Sequence, residues 1–264
     1  MSDHSKRGGG RRLDDRVVEA GLATSKTRAQ ALILTGRILV NDVPVDKAGR
    51  RVAEDALIRI KGGPPPRYVS RGGEKLAGAL QDLQFDPTDL RCLDVGASTG
   101  GFTDCLLQHG ASEVVALDVG WGQLHARLRA DSRVRVHERV NARELGPEHI
   151  DGTVDLIVAD VSFISLRLLL DAFVQVAPNS KWILLVKPQF EVGRDRVGRG
   201  GVVRDDSLRQ SAVEDVVEAS ASVGYARVAQ VDSRLAGPKG NREIFVHLAP
   251  APSGSNADCV TFPA

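Results

Sequence analysis

The chain has 264 residues, of which 42% are hydrophobic and 26% charged, so it has enough apolar residues for a folded core and is not disordered throughout. Its three cysteines are too scattered for a disulfide framework or a paired-cysteine zinc site, and no apolar run approaches the ~20 residues that cross a bilayer. The net charge of +1 is distributed unevenly along the chain. Residues 1–67 carry 14 Lys and Arg against 8 Asp and Glu, and the remainder 21 against 26, which predicts a polyanion-binding front part on an acidic body.

The first elements form a small unit of two helices followed by short strands. Apolar residues at helical spacing predict a helix over 12–23 that Gly21 closes. A second helix is predicted to begin after Thr24 or Ser25, either of which could cap its N-terminus, and to end at Gly36. The segment after it predicts a hairpin, and residues 56–60 predict a closing strand.

This order of elements resembles the S4-type RNA-binding domain over about residues 11–61. We therefore expect a front domain over 1–61 that binds RNA by recognising the shape of the RNA and by contacting its phosphates. The alternative is a small helical adaptor with no nucleic acid. The resemblance places RNA contacts at five basic residues: Arg11, Arg12, Lys26, Arg28 and Arg37.

Glycines and prolines separate the two parts of the chain. The run KGGPPP cannot continue a helix or a central strand, so we predict a linker over 62–68. The last residues, 250–264, are small, polar or proline and predict a flexible tail. The basic N-terminal stretch has no apolar segment behind it, so we expect no signal peptide and a cytoplasmic protein.

Strands and helices alternate over 69–249, which predicts an α/β domain with a doubly wound, Rossmann-like sheet. The strands are predicted at 91–97, 113–120, 133–140, 154–163, 181–190, 226–235 and 242–249, with the third near a sheet edge. The helices are predicted at 100–110, 165–177 and 205–224.

A glycine-rich turn follows the first of these strands and opens a helix, which favours a ligand carrying a carboxylate or phosphate. The turn has an acid, Asp94, two positions ahead of Gly96, and its spacing differs from the G-x-G-x-x-G of dinucleotide enzymes. It resembles the S-adenosylmethionine (SAM) motif of class I methyltransferases. A second acid, Asp118, ends the next strand, where acids bind ribose hydroxyls in both enzyme classes. The predicted cofactor-binding residues are Asp94, Gly96, Ser98, Thr99, Gly100, Gly101, Phe102, Asp118, Asn141 and Asp160.

The residues near the later strands indicate which group would receive a methyl. The fourth strand lacks the Asn/Asp-Pro-Pro-aromatic run of amino-methyltransferases, and no cysteine lies near the fourth or fifth strand to act as a nucleophile on a base carbon. A ribose hydroxyl is a weak acid and needs a base, a role that a lysine performs if its pKa is depressed. Lys187 ends an apolar strand, and Lys75, Asp160 and Glu243 come from three other segments that can converge on it.

Five segments together resemble the TlyA family of ribosomal RNA ribose methyltransferases, which join an S4-type domain to an FtsJ-like catalytic domain. They lie at 70–76, 93–103, 159–165, 186–191 and 237–243, within a match over about 11–249. The resemblance implies SAM as cofactor, a cytidine 2′-hydroxyl of ribosomal RNA as substrate, no metal, and modification of one or both subunits. It places the family's catalytic Lys-Asp-Lys-Glu set on Lys75, Asp160, Lys187 and Glu243.

Two further segments are candidate RNA contacts. Arg71, beside the predicted Lys75 helix, is a candidate for holding an RNA phosphate. The basic loop 193–201 either faces RNA or is disordered filler.

Two other functions remain as alternatives. One is a non-catalytic RNA-binding or ribosome-assembly factor with a vestigial cofactor pocket. The other is a membrane-active haemolysin, which the lack of a spanning segment or a long basic amphipathic helix disfavours.

Overall fold

A computed structural model describes residues 10–62, 66–198, 200–237 and 240–252. The predicted tail lies mostly, and the predicted linker partly, outside these residues. The elements of the front domain are β1 (Arg11–Arg12), α1 (Leu13–Glu19), α2 (Lys26–Leu34), β2 (Ile38–Val40), β3 (Val43–Pro44), β4 (Arg51–Val52) and β5 (Ile58–Ile60).

The front domain folds as its pattern of residues predicts. The Ser25 hydroxyl accepts a hydrogen bond from the Arg28 amide and so caps α2. Asn41 and Asp42 adopt positive φ angles of 48° and 65° and form the hairpin turn between β2 and β3. The antiparallel order is β3-β2-β5, and β1 pairs with β4 in a small ribbon that the sequence did not reveal. The helices bury Leu13, Val17 and Ile33 against this sheet.

The larger domain contains every remaining element. Its first half comprises α3 (Arg71–Asp82), β6 (Arg91–Val95), α4 (Gly101–Gln108), β7 (Glu113–Asp118), α5 (Ala126–Arg129) and β8 (Val134–Glu138). Its second half comprises β9 (Leu156–Ala159), α6 (Leu170–Val176), β10 (Lys181–Val186), α7 (Pro188–Glu191), α8 (Asp206–Ser222), β11 (Tyr225–Asp232) and β12 (Ile244–Pro250).

These strands form one sheet in the order β11-β12-β10-β9-β6-β7-β8, with β8 at the edge as predicted. The pairs from β10 to β8 are parallel, while β12 runs antiparallel to both β10 and β11. Strands β6, β9 and β10 are buried on both faces, which explains their continuous apolar runs. Their carboxyl ends meet at one edge of the sheet, where open α/β sheets bind ligands.

Several predicted elements are shorter than expected or divided in the structure. The strand predicted over 181–190 stops at Val186, because Pro188 has no N–H for the ladder and opens the turn α7. The strand predicted over 154–163 stops at Ala159, just before Asp160. The helix predicted over 165–177 divides into a 3₁₀ turn at Leu166–Leu168 and α6.

The sheet lies between two layers of apolar side chains. One layer packs under α6 and α8 and contains Phe173 and Trp182. The other packs under α3 and α4 and contains Leu76, Leu106 and Phe245. Within the described ranges, no helix is long and apolar enough to cross a bilayer.

Candidate active site

A lysine and an aspartate form an ion pair at the carboxyl ends of two adjacent strands. Asp160 follows β9 and Lys187 follows β10, and their Oδ1 and Nζ atoms are 2.5 Å apart. Lys187 is 8% exposed, and its Nζ also donates a hydrogen bond to the Ser162 hydroxyl at 2.9 Å. Both residues follow buried parallel strands, so the fold holds the pair at the ligand-binding edge.

A second lysine–carboxylate pair comes from a helix and the segment before the last strand. Lys75 lies in the first turns of α3, and its Nζ donates to Glu243 Oε2 at 2.5 Å. Both side chains are buried, with exposures of 7% and 1%. The start of α3 packs closely on the start of α4, where a Cβ on Gly101 would come within 2.8 Å of the Gly73 nitrogen.

The two pairs act on each other electrostatically, which makes them one cluster as predicted. Burial works to raise the pKa of Asp160, but the charges of Lys187 and Lys75 outweigh burial and lower it. Burial works to lower the pKa of Lys187, but Asp160 and Glu243 outweigh it and raise the pKa. The sequence left the sign of the Lys187 shift open. The raised pKa favours the ammonium form of Lys187, which is ion-paired with Asp160.

The glycine-rich turn lies beside this cluster. Gly96 has a φ of +84°, and a Cβ there would come within 2.9 Å of the Asp160 carbonyl oxygen, so glycine is required. Asp118 ends β7, and its carboxylate accepts hydrogen bonds from the Ser98 amide at 2.8 Å and the Gly120 amide at 2.6 Å. These bonds hold the turn over the ends of β6 and β7.

Two residues that were predicted to bind the cofactor, Asp94 and Phe102, have side chains buried beneath the turn. Asp94 is fully buried, and its Oδ2 accepts from the Thr103 amide at 2.9 Å and hydroxyl at 2.6 Å. Burial raises its pKa to about 7. Phe102 is 3% exposed and packs on Phe245, with 6.0 Å between ring centroids. Both side chains therefore support the turn from beneath, which corrects the expectation that they line a pocket.

The remaining predicted cofactor residues lie along the turn or after β8. Ser98 and Thr99 are partly exposed, whereas Gly100 and Gly101 are buried at the start of α4. Asn141 is exposed, and its Oδ1 accepts from the Arg143 amide at 3.1 Å, which caps a short 3₁₀ turn. Their contacts with a cofactor stay predictions.

One contact at the turn has no counterpart in the sequence analysis. The Ser98 and Thr99 hydroxyls donate to Oδ2 of Asp55, at 2.8 Å and 2.6 Å. Asp55 belongs to the front domain, so this contact joins the two domains at the predicted cofactor site. No local pattern reveals it, because 43 residues separate Asp55 from Ser98.

An aromatic pair that the sequence analysis did not include comes from the segments that follow β9 and β10. Phe163 follows Asp160 by three positions, is 89% exposed, and has a φ of +70° that bulky residues rarely adopt. Its ring centroid lies 5.4 Å from that of Phe190, two residues after Pro188. The signal available in the sequence was an aromatic residue immediately after the Asp160 segment.

The predicted RNA-binding residues are distributed over the front domain and α3. Arg28 and Arg37 are exposed. The other three basic residues of the front domain pair with acids, in the combinations Arg11–Glu19, Arg12–Asp14 and Lys26–Asp15. Arg71 Nη2 donates to the Ala236 carbonyl oxygen at 3.2 Å. RNA binding by these residues stays a prediction.

Comparison with known proteins matches two families to separate parts of the chain. Residues 68–249 match the FtsJ-like methyltransferase family, and residues 11–58 match the S4 domain. A Mycobacterium tuberculosis protein, 16S/23S rRNA (cytidine-2'-O)-methyltransferase TlyA, is 47% identical over 90% of this chain and 89% of its own length. Hemolysin A of Brachyspira hyodysenteriae is 40% identical over 90% of this chain and 99% of its own.

A solved structure agrees with the fold of both domains. A Streptococcus thermophilus protein grouped with the hemolysins matches with a TM-score of 0.77 and 37% identity, over 92% of this chain and 90% of its own. The identities and the coverage of both domains show that the chain belongs to the TlyA family, in which an S4 domain precedes an FtsJ-like methyltransferase domain.

Proposed function

We propose that the protein transfers a methyl group from SAM to the 2′-hydroxyl of a cytidine in ribosomal RNA. The observation that carries this proposal is the cluster of two lysine–carboxylate pairs beside a glycine-rich turn at the carboxyl ends of β6, β9 and β10. The name of the M. tuberculosis relative supports the cytidine and the ribosomal RNA.

The turn fits SAM on two counts. Gly96 lets the turn pack directly on the end of β9, because a Cβ there would meet the Asp160 carbonyl oxygen. The Ser98 and Thr99 hydroxyls bind a carboxylate, that of Asp55, so they are suited to bind the methionyl carboxylate in its place. Asp118 would hold the ribose hydroxyls. SAM supplies an electrophilic methyl group on a positively charged sulfur.

Lys187 is the residue we assign to the proton of the 2′-hydroxyl. Its neutral Nζ would accept that proton as the 2′-oxygen bonds to the methyl carbon and the methyl–sulfur bond breaks, with the electron pair of that bond staying on sulfur. Asp160 and Ser162 hold Nζ in place. The free protein holds Lys187 as an ammonium, so the amine must first lose a proton. A cationic cofactor nearby favours that loss, because like charges lower the pKa of a lysine.

Lys75 and Glu243 have supporting roles in this proposal. The Lys75 ammonium stabilises the negative charge that develops on the 2′-oxygen. Glu243 holds Lys75 in position through the 2.5 Å contact. Both therefore orient charge around the reacting oxygen.

The front domain supplies the attraction for RNA. Residues 1–67 carry a net charge of +6 and the remainder −5, so the catalytic part alone repels a polyanion away from its site. Arg28 and Arg37 are exposed for phosphate contacts. We accordingly place the protein in the cytoplasm, where ribosomal RNA is found.

A methyl-transfer assay tests the proposal. Ribosomal subunits and rRNA from a strain lacking the gene are incubated with tritiated SAM and the protein, and primer extension at low deoxynucleotide concentration locates the modified ribose. We expect label in rRNA with wild type and none with Lys187→Ala, while S-adenosylhomocysteine binding by calorimetry persists in both. Binding of the cofactor product without any methyl transfer would favour the assembly-factor alternative. Binding of NAD in its place would refute the cofactor assignment.

A further inference from the structure

The front domain places an acidic turn against the predicted cofactor site. Asp55 lies between β4 and β5, and its Oδ2 receives the hydroxyl hydrogens of Ser98 and Thr99. At 2.8 Å and 2.6 Å these are hydrogen bonds to a carboxylate, which are stronger than bonds between neutral groups.

The neighbouring residue extends this acidic turn toward the catalytic cluster. The charge of Glu54 is among the influences that raise the pKa of Lys187, so Glu54 lies within electrostatic reach of the Nζ atom. The turn at 54–55 therefore contacts the glycine-rich turn through Asp55 and adds a negative charge within electrostatic reach of Lys187. Two negative charges here oppose the entry of an anionic ligand or an RNA phosphate.

Each hydroxyl has a single hydrogen, so a hydrogen donated to Asp55 is not available to a second carboxylate. A methionyl carboxylate bound at the glycine-rich turn needs donors there, and Ser98 and Thr99 direct theirs to Asp55 in the free protein. We infer that Asp55 occupies the subsite for the cofactor's carboxylate, so that SAM binding requires the acidic turn of the front domain to withdraw. This inference rests on the SAM pocket of the proposed function.

The consequence is a coupling between the position of the front domain and cofactor affinity. If only the withdrawn state binds SAM, the apparent affinity falls by the fraction of molecules in that state. The coupling is reciprocal, so RNA that holds the front domain away from the catalytic domain tightens cofactor binding. The cofactor is then bound most tightly when substrate is present.

Calorimetry with S-adenosylhomocysteine on the full-length protein tests the inference. Removing the carboxylate in Asp55→Ala should tighten binding by at least about fivefold, the lower end of typical couplings between sites. Asp55→Asn keeps the shape and an acceptor oxygen but loses the charge, so its affinity should lie between those of wild type and Asp55→Ala. The matched control is Asp46→Asn, which removes an exposed carboxylate of the same domain and should leave the affinity within about twofold.

A second arm measures the coupling itself. Adding an rRNA fragment should tighten S-adenosylhomocysteine binding to wild type and change it much less in Asp55→Ala. Unchanged or weaker binding by Asp55→Ala, with a thermal melt like that of wild type, overturns the inference while leaving the SAM pocket intact. If neither wild type nor any variant binds S-adenosylhomocysteine, the cofactor assignment fails and the inference fails with it. If Asp55→Ala does not fold, the comparison of Asp55→Asn with wild type decides in the same way.

Discussion

The Nζ atom of Lys187 lies 2.5 Å from Oδ1 of Asp160, and this contact sets the charge state of the proposed base. A buried lysine without a partner loses its proton easily, because burial disfavours the ammonium. Here Asp160 and Glu243 outweigh burial and raise the pKa above the 10.5 of a free lysine. The site therefore holds the base in its protonated form until substrate and cofactor enter.

The raised pKa of Lys187 predicts how the rate of methyl transfer depends on pH. If the entering cofactor only partly offsets the raised pKa, the neutral fraction of Lys187 grows about tenfold per pH unit below that pKa. We expect the single-turnover rate at saturating SAM and RNA to rise with pH from about pH 7 to about pH 9, without a plateau. Rapid-quench measurements of tritium transfer check this, and a flat profile would remove Lys187 from the role of base.

Substitution of Lys187 by arginine separates the base from an electrostatic anchor. A guanidinium keeps the positive charge beside Asp160 but does not lose a proton at accessible pH. Lys187→Arg should therefore lose about 10²–10⁴-fold in rate, with S-adenosylhomocysteine affinity little changed. A variant that stays within a few-fold of wild type would show that Lys187 only orients the oxygen.

The Lys75–Glu243 pair should contribute differently to stability and to activity. Glu243→Gln leaves the buried Lys75 ammonium without its nearest carboxylate, so the free energy of unfolding should fall by about 3 kcal/mol. The double variant Lys75→Met, Glu243→Leu removes both charges and should recover most of that loss without restoring methyl transfer. Urea unfolding followed by circular dichroism measures both. A double variant as unstable as Glu243→Gln would show that the pair is needed for packing.

Much of the fold follows from local sequence signals. The apolar strands β6, β9 and β10 and the cap of α2 lie where apolar runs and capping residues predict them. Pro188 shows the limit of that approach. The strand is predicted to extend to Phe190, but the missing N–H of the proline ends it at Val186.

The sequence predicted which four charged residues converge in the candidate site, but not how their interactions change the pKa of Lys187. The convergence of the four charged residues follows from the order of strands together with the family resemblance. The sign of the Lys187 shift depends on how burial balances two carboxylates, which only the distances decide. The burial of Asp94 and the contact of Asp55 with Ser98 are tertiary, and no residue spacing encodes them.

Two exposed arginines of the front domain should carry part of the RNA affinity. The double variant Arg28→Gln, Arg37→Gln removes two proposed phosphate contacts. The slope of the logarithm of the rRNA binding constant against the logarithm of the salt concentration should therefore become less negative by about two. S-adenosylhomocysteine affinity should not change. Filter binding at several salt concentrations measures the slope, with Arg234→Gln as the control that removes an exposed charge from the catalytic domain. An unchanged slope would place the RNA contacts elsewhere.

Phe163 should contact the base of the target nucleotide. Phe163 contacts Phe190 but is 89% exposed and held at a φ of +70°, and it lies three residues after Asp160, a member of the cluster proposed to act on the ribose. Aromatic stacking of a base is worth about 1–3 kcal/mol, so Phe163→Ala should raise KM for rRNA by about tenfold or more, while Phe163→Tyr restores it. The control is Val228→Ala, which truncates another exposed apolar side chain on β11 and should leave KM unchanged. Steady-state kinetics on the assembled subunit measure all four proteins, and equal KM values for Phe163→Ala and wild type would exclude the stacking role.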